Sequence, residues 1–326
     1  MPDSHPFERL TPDLVIDAVE STGLVSDARI LALNSYENRV YQVGIEEAEP
    51  LIAKFYRPGR WSDEQILEEH AFSQELADLE IPVVPPSDLS GTTLREFEGF
   101  RFALFPRRGG RSPDLNLDNL LIMGRFIGRL HKAGASRPFK SRVHVTVEGF
   151  AENSAAFLLE HNFIPAEMRE AYASLSEDLI NRVNAIFAAT TAPASIRIHG
   201  DCHMGNVLWR DDTPHFVDFD DTMQGPAIQD LWMLLSGDMQ NQLAQLSELA
   251  DGYDEFHEFN PAELVLVESL RTMRLMHYAA WLARRWDDPA FPQSFPWFNT
   301  ESYWAGHILE LREQLAALDQ PPLALY

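Results

Sequence analysis

The 326-residue sequence predicts an α+β protein with two lobes: a small N-terminal antiparallel β-sheet lobe that contains one helix, and a larger, mainly α-helical C-terminal lobe. Strand-like patterns are concentrated before residue 106, whereas helical patterns dominate after it. Between the two lies PRRGGRSP, whose glycines and prolines are typical of a connection between lobes. We therefore place the lobes at residues 1–105 and 106–326.

The N-terminal lobe begins with a helix bracketed by Thr11, Pro12 and Gly23, which suit an N-cap, a first helical position and a left-handed exit. ARILALNSYENRVYQV and PLIAKFYR then read as three strands, separated by polar turns. A second helix runs from about Ser62 to about Leu79, where IPVVPP ends it. TTLRE and FRFALF flank the turn FEGF and bring the number of predicted strands to five.

The C-terminal lobe begins with Leu120, Met123, Ile127 and Leu130, whose spacing of three and four residues predicts one buried helix face. SIRIHG and HFVDFD are two short strand-like runs within this mostly helical part. Further helices are predicted over 147–159, 166–188, 227–236, 262–286 and 301–318.

Composition excludes several classes of function. The formal net charge of −24 at pH 7 disfavours nucleic acid and anionic membrane surfaces as partners. A single cysteine permits no internal disulfide and no cysteine-rich zinc framework. No apolar run approaches the roughly 20 residues of a membrane span, and MPDSHPFERL does not resemble a signal peptide. We expect a soluble, cytoplasmic protein.

The segment HGDCHMGN, residues 199–206, admits several interpretations. His199, Cys202 and His203 are zinc-type ligands, but a tight structural site wants four ligands and no second cluster accompanies them. Cys202 as a nucleophile would need a histidine oriented beside it. The remaining interpretation as a buried turn with mutually satisfied polar groups does not explain the residues that follow.

Phosphoryl transfer explains those residues. Asp201 is followed five positions later by Asn206, and after the strand-like VLWR and the turn RDDTP, HFVDFDD supplies Asp218. Asn206 and Asp218 carry hard oxygen ligands suited to Mg²⁺, which neutralises the charge on the transferred phosphoryl group. Asp201 is then free to accept the proton of the attacking hydroxyl.

This constellation resembles the catalytic core of the protein-kinase-like fold, in its aminoglycoside phosphotransferase and choline kinase branch, where HGD replaces HRD. The resemblance implies that Asp201 is the catalytic base and that Asn206 and Asp218 hold Mg²⁺. It makes His199 structural, and Cys202 and His203 incidental loop residues. GPAIQDLW resembles the family segment in which an aspartate, here Asp230, supports the catalytic loop; the alternative is an ordinary carboxylate at a helix N-terminus.

The same resemblance implies an ATP site in the N-terminal lobe. Lys54 on the third strand would bind the ATP phosphates and pair with Glu69, chosen over Glu68 because Phe72 and Leu76 follow it at family spacing. A lysine that protects a strand edge is the alternative for Lys54. NSYEN lacks the glycines of a phosphate-covering turn, so Ser35 and neighbouring amides would serve instead. Backbone groups near Phe105 would meet adenine.

The acceptor is less defined. LNSYENRVYQ, KFYRPGRWSDEQILEEH and DLWMLLSGD, together with the HGD motif, are similar to the bacterial stress response kinase A group, which implies phosphorylation of protein serine or threonine. A small-molecule alcohol kinase and a nucleotide-binding scaffold with little catalysis are the alternatives. A helical stripe within 262–286 could line an acceptor groove for an acidic peptide or phosphorylated metabolite, or could pack between lobes; its members are Arg271, Arg274, Tyr278, Trp281 and Arg285.

Overall fold

The computed structural model describes residues 6–190 and 194–325. It confirms the α+β class: an antiparallel five-stranded sheet occupies the N-terminal part, and helices dominate the remainder. The strands are β1 (Ser26–Ala32), β2 (Arg39–Ile45), β3 (Leu51–Phe55), β4 (Arg95–Phe97), β5 (Phe100–Pro106), β6 (Ile196–Ile198), β7 (Val207–Arg210), β8 (Thr213–Phe216) and β9 (Met223–Gly225).

The α-helices are α1 (Pro12–Glu20), α2 (Asp63–Asp78), α3 (Leu117–Gly134), α4 (Asn153–Glu160), α5 (Arg169–Ala189), α6 (Ile228–Trp232), α7 (Met239–Asp254), α8 (Val267–Arg284), α9 (Ala290–Ser294) and α10 (Glu301–Ala317). A π-helical turn, Glu148–Glu152, precedes α4, and 3₁₀ turns span Pro6–Arg9, Met204–Asn206, Phe219–Asp221 and Pro261–Leu266.

The large sheet has the strand order β1-β2-β3-β5-β4, with every neighbouring pair antiparallel. Lys54 therefore lies on the central strand, opposite Val40 on one side and Ala103 on the other. The interpretation of Lys54 as a strand-edge lysine is wrong, because a central strand has no free edge.

Helix α2 connects the sheet to the helical part. Ser62 caps it, and its hydroxyl accepts from the Gln65 amide while the Gln65 side chain accepts from the Ser62 amide. Its Phe72 and Leu76 are fully buried in the same core cluster as Ile127 of α3. Side chains from both parts of the chain thus share one core, which fixes α2 next to the loop 199–206.

Two departures from the predicted helices occur after residue 226. Helix α6 covers only Ile228–Trp232 instead of 227–236, because the next residues form single turns before Asp238 caps a new helix. That helix, α7, was not singled out by the sequence pattern. It packs closely on α3, where a Cβ at Gly252 would collide with the Leu121 carbonyl.

A second apolar cluster joins α4, α5, α8 and α10 around Tyr172, Met276 and Trp304. The cluster holds one face of α8 in place, so the opposite face of this helix is free to line the cavity described next. Among the described residues, no helix has the length and apolar character needed to cross a membrane.

Candidate active site

One cavity of about 1150 Å³ receives side chains from both the sheet and the helical part. All seven site residues predicted from the sequence line it: Ser35, Lys54, Glu69, Phe105, Asp201, Asn206 and Asp218. Residues more than 180 positions apart in the chain therefore face one common volume.

Lys54 is the buried cation of this cavity. Its Nζ lies 3.1 Å from Asp218 Oδ1, 3.1 Å from Asp220 Oδ1 and 3.9 Å from Glu69 Oε1. Burial opposes the charge, but the three carboxylates hold the pKa of Lys54 well above its usual range. Glu68 points elsewhere, since its carboxylate accepts from the amides of residues 140–142.

The loop that carries Asp201 is fixed from below by Asp230. The two carboxylate oxygens of this fully buried residue accept from the amides of His199 (2.7 Å) and Gly200 (2.8 Å), and one also lies 2.9 Å from His131 Nε2. Gly200 has φ +86°, and a Cβ there would collide with the Asp221 carbonyl, so glycine is required at this position.

Asp201 sits among nitrogen-bearing side chains. Arg274 donates to its Oδ1 at 2.7 Å, while His203 Nε2 and Asn206 Nδ2 each lie 3.4 Å from Oδ2. Burial disfavours the carboxylate, but His203 and Arg274 outweigh burial and hold the pKa of Asp201 well below its usual range. Asp201 is thus ionised at neutral pH. The Gly205 amide donates to His203 Nδ1 at 2.9 Å, and the other ring nitrogen of His203 faces Asp201.

Asn206 and Asp218 are brought together by backbone pairing. The Val217 amide donates to the Asn206 carbonyl at 3.0 Å, and Asp218 follows directly. Strand β8 ends at Phe216, earlier than predicted, and Asp218 adopts the left-handed region at φ +61°. This conformation is uncommon outside glycine and is typical of strained functional positions. It directs the Asp218 side chain to Lys54.

The donor set fits a magnesium ion shared with nucleotide phosphates. The Asn206 amide nitrogen donates to the Asp201 carbonyl at 3.0 Å, which fixes the rotamer and leaves its amide oxygen as the available ligand atom. Asp218 is exposed enough to reach a ligand. Within residues 6–190 and 194–325, no set of three His, Cys, Asp or Glu side chains could hold a metal by itself. Mg²⁺ commonly takes one or two protein oxygens and completes its shell with phosphate and water.

Asp220, with its cationic partner Arg60, is a part of the site that the sequence analysis did not single out. Asp220 is buried and bonds Lys54 and Arg60, and its backbone carbonyl accepts from Arg142 at 2.5 Å. Burial opposes its charge, but these cations hold the pKa of Asp220 well below the usual range. Arg60 also pairs with Asp221. The duplicated carboxylates of DFDD are the one signal in the sequence for Asp220 and Asp221.

Hydrogen bonds from arginine side chains, and not glycine residues, set the conformation of the turn at residues 35–38 that covers the cavity. The Ser35 hydroxyl donates to the Asn38 carbonyl at 3.1 Å, and Arg39 and Arg57 donate to the carbonyls of Tyr36 and Glu37. Its carbonyls are thereby turned toward the arginines.

Glu37, at the tip of this turn, reaches the helical part. Its carboxylate accepts from Trp281 Nε1 at 2.6 Å and pairs with Arg285, Arg57 and Arg60. Nearby, Asp288 pairs with Arg39 and with Arg57. The covering turn is thus bonded to the end of α8 across the cavity.

The other sequence candidates have clear positions. His199 Nε2 lies 2.9 Å from the Val217 carbonyl, which joins the loop to the Asp218 segment. Cys202 is buried, and burial raises the pKa of its thiol well above the ordinary value, which does not suit a nucleophile. Phe105, opposite Ile52 in the sheet, lines the cavity near its connection to the helical part.

The residues of the stripe predicted on α8 do not all face the cavity. Arg274, Tyr278, Trp281 and Arg285 line the cavity, and the last two also contact the sheet part through Glu37. Arg271 faces away from the cavity, where it stacks on Trp232 and pairs with Glu268. Part of the stripe therefore packs against the sheet part, and part of it faces the cavity.

Comparison with known proteins shows the family to which this chain belongs. A family model described as "Phosphotransferase enzyme family" matches residues 29–267. The chain is 44% identical over 320 residues to the serine/threonine protein kinase RdoA of Salmonella typhimurium, covering 98% of this chain and 97% of that protein. It is 43% identical over the same length, with the same coverage, to stress response kinase A of Escherichia coli K12.

Solved structures show the same fold at low sequence identity. An amicoumacin kinase in complex with AMP-PNP, Ca²⁺ and Ami superposes with a TM-score of 0.71 at 17% identity, covering 94% of each chain. A microcompartment-associated aminopropanol kinase gives 0.69 at 19% identity, covering 94% of this chain and 98% of the other. The superpositions span both the sheet and the helical part.

Proposed function

Because this chain belongs to the phosphotransferase enzyme family, we propose that it transfers the γ-phosphoryl group of ATP, with Mg²⁺, to a serine or threonine hydroxyl of a protein in a response to stress. Two relatives that match almost the whole chain are named as a serine/threonine protein kinase and a stress response kinase. The assignment of residues 1–105 to ATP binding and 106–326 to catalysis and acceptor binding is part of this proposal.

The observation that carries the proposal is the convergence of Lys54, Asp201, Asn206 and Asp218 on one cavity. Phosphoryl transfer needs positioned cations around the phosphates and a carboxylate that orients the acceptor. When bound, Mg²⁺ would neutralise charge on the phosphate oxygens, with Asn206 and Asp218 as its protein ligands.

The remaining roles follow from position. Lys54, held by Glu69, would bind the nucleotide phosphates; Ser35 and the turn amides would cover them, and the backbone near Phe105 would meet adenine. Asp201 would accept a hydrogen bond from the acceptor hydroxyl. A carboxylate with a lowered pKa is a weak base, so Asp201 would act mainly by orientation and take the proton late in the transfer.

The decisive test is transfer from γ-labelled ATP to generic protein substrates by purified wild type and Asp201→Asn. We expect the variant to bind ATP normally and to lose about 10²–10⁴-fold in kcat, the usual worth of a general base. Asp211→Asn is the matched control, because Asp211 is an exposed aspartate of the β7–β8 turn. Comparable turnover by wild type and Asp201→Asn would contradict the assignment.

A small-molecule alcohol is the second candidate acceptor. It is favoured by the solved structures of similar fold, whose titles name amicoumacin and aminopropanol kinases. A panel of small alcohols offered in parallel with protein substrates separates the two candidates, because label would appear in one class alone.

A further inference from the structure

The part of the cavity next to Asp201 has an unusual charge distribution. One wall is α8 with the residue after it, which contributes Arg274, His277, Tyr278, Trp281, Arg284 and Arg285. The adjoining wall is the segment 143–150, whose Phe150 packs on the ring of His277, and no residue that lines the cavity from either wall is Asp or Glu. Glu148 lies within that segment but does not line the cavity. We call these two walls the acceptor walls.

The carboxylates that do line the cavity already have cationic partners. Asp218 and Asp220 contact Lys54, Asp221 pairs with Arg60, and Glu37 pairs with three arginines. Glu69 lies near Lys54, and Asp201 accepts from Arg274. A cationic acceptor would find no unpaired carboxylate among the described lining residues.

Arg284 is the acceptor-wall cation with capacity for a ligand. One nitrogen donates to the Asn153 carbonyl at 3.0 Å and the guanidinium stacks on Phe157, so its position is fixed. Within residues 6–190 and 194–325, Arg284 forms no ion pair with a carboxylate, and burial is the only influence that lowers its pKa. A positioned arginine in a partly desolvated wall favours binding of a carboxylate or phosphate.

His277 supports the same conclusion. Its Nδ1 is buried and has no hydrogen-bond partner among the described residues, although the residue lines the cavity. Burial, reinforced by Arg284, Arg285, Arg60 and Arg274, lowers the pKa of His277 to about 3. The arginines that reinforce the effect of burial on His277 also create a positive potential that attracts an anion.

We propose that the acceptor is an acidic peptide segment: a serine or threonine placed at Asp201, with Asp or Glu about four to five residues away at Arg284. This inference rests on the proposed function and names its acceptor. Arg274 contacts Asp201, and Arg284, ten residues later, is the last residue of the same helix, α8. A helix advances about 15 Å over ten residues. An extended peptide covers that length in about four to five residues.

The same geometry disfavours amine acceptors. An ammonium group beside α8 would meet Arg274, Arg284 and Arg285, and like charges in a partly buried site are unfavourable. The aromatic face of Trp281, a candidate for cation binding, is already covered by the Arg285 guanidinium at 5.2 Å.

The test uses the full chain and eleven-residue peptides with one central serine. Asp, Ala or Lys is placed four and five residues before or after that serine in an otherwise uncharged sequence. We expect kcat/KM to fall in the order Asp, Ala, Lys for one of the two directions, with at least about fivefold between Asp and Ala, as one screened ion pair allows. Equal rates for all three, or preference for Lys, would overturn the inference.

Charge reversal gives the sharper comparison. Arg284→Glu should remove the preference for Asp peptides and create one for Lys peptides, whereas Arg182→Glu, on the outer surface of α5, should keep the wild-type order. Unchanged ATP affinity shows that each variant is folded. An unaltered Asp preference in Arg284→Glu would contradict the role of Arg284.

A parallel arm distinguishes this inference from the function on which it rests. Phosphorylation of peptides without regard to charge overturns only the acidic-acceptor inference. Phosphorylation of small alcohols but of no peptide overturns both. In that arm, glycerol phosphate and an amino alcohol are offered as the anionic and cationic small acceptors.

Discussion

At the scale of single residues, Asp218 and Asp220 show how two nearby carboxylates can differ in purpose. Both contact Lys54 at 3.1 Å, but the side chain of Asp218 is 55% exposed and that of Asp220 is 3% exposed. Asp220 balances buried cations, whereas Asp218 remains accessible to a metal. Sequence alone assigns Asp218 by its motif and gives no reason to separate its role from that of Asp220.

We expect substitutions at these two positions to affect different properties: the free energy of unfolding at Asp220, and Mg²⁺-dependent ATP binding at Asp218. Asp220→Asn should lower the free energy of unfolding by about 1–3 kcal/mol, because buried Lys54 and Arg60 lose their shared partner but keep other carboxylates nearby. Asp218→Asn should cost less than about 1 kcal/mol, as expected of an exposed ion pair. It should instead abolish Mg²⁺-dependent ATP binding.

Denaturant unfolding and nucleotide titration with and without Mg²⁺ measure the two effects. Asp212→Asn, in the exposed β7–β8 turn, should change neither. Tight, metal-dependent binding of ATP by Asp218→Asn would show that another residue holds the metal.

At the scale of elements, the covering turn at residues 35–38 depends on a contact made across the cavity. Glu37 connects it to Trp281 and Arg285 at the end of α8. We expect Glu37→Gln to raise KM for ATP about three- to tenfold, as the loss of a charge-assisted contact allows, with a smaller change in kcat. Steady-state kinetics against ATP measure the effect. Glu49→Gln, in the exposed turn between β2 and β3, serves as the control.

A fall in kcat by the same factor as the rise in KM would indicate that Glu37 acts in the chemical step and not in holding the turn. Partial unfolding would also impair both kinetic parameters. The thermal stability of the same preparation is therefore measured, because it reveals unfolding directly. The charge-conserving Glu37→Asp, with a shorter side chain, should give an intermediate KM.

Elements with local signals could be predicted from the sequence. Thr11, Ser62 and the apolar spacing of α3 each act within a few residues, so their helices appear where the pattern places them. Helix α7 was not singled out, although Leu246, Leu249, Ala250 and Tyr253 have the spacing of one buried helix face and Asp238 caps the helix. Its close approach to α3 at Gly252 has no local signal, because it depends on a residue of another helix.

The candidate site divides in the same way. Lys54, Asp201, Asn206 and Asp218 were predicted because their spacing within strands and loops follows from the chemistry of phosphoryl transfer and from family resemblance. Asp220 and His203 were not predicted as members, because their contacts join segments far apart in sequence or depend on a loop conformation. Long-range ion pairs leave no periodic signal in a chain.

At the scale of the whole molecule, the acceptor wall depends on an aromatic cluster behind α8. His307 of α10 is 5% exposed within this cluster and stacks near Tyr172 and Tyr303. Its Nε2 has no hydrogen-bond partner among the described residues. Burial lowers the pKa of His307 to about 4, below the value of 6.5 expected in an unfolded chain.

This depressed pKa makes stability depend on pH with a definite sign. Above pH 6.5 the imidazole is neutral in both states, and below pH 4 it is protonated in both. Between these values the unfolded chain binds a proton that the folded protein does not, so the free energy of unfolding falls as pH falls. His307 alone should account for a loss of about 2 kcal/mol between pH 7.5 and pH 5.

We expect His307→Gln, which keeps a neutral polar side chain of similar size, to lose about 2 kcal/mol less than wild type over that interval. Urea unfolding at pH 7.5, 6, 5 and 4 measures the difference, and other titrating groups cancel because both proteins share them. His161→Gln, at an exposed position after α4, should keep the wild-type slope. Parallel pH profiles for His307→Gln and wild type would mean that the folded protein protonates His307 as readily as the unfolded chain. The cluster behind the acceptor wall would then be open to water, and α8 would lack the rigid support that positions Arg274 and Arg284.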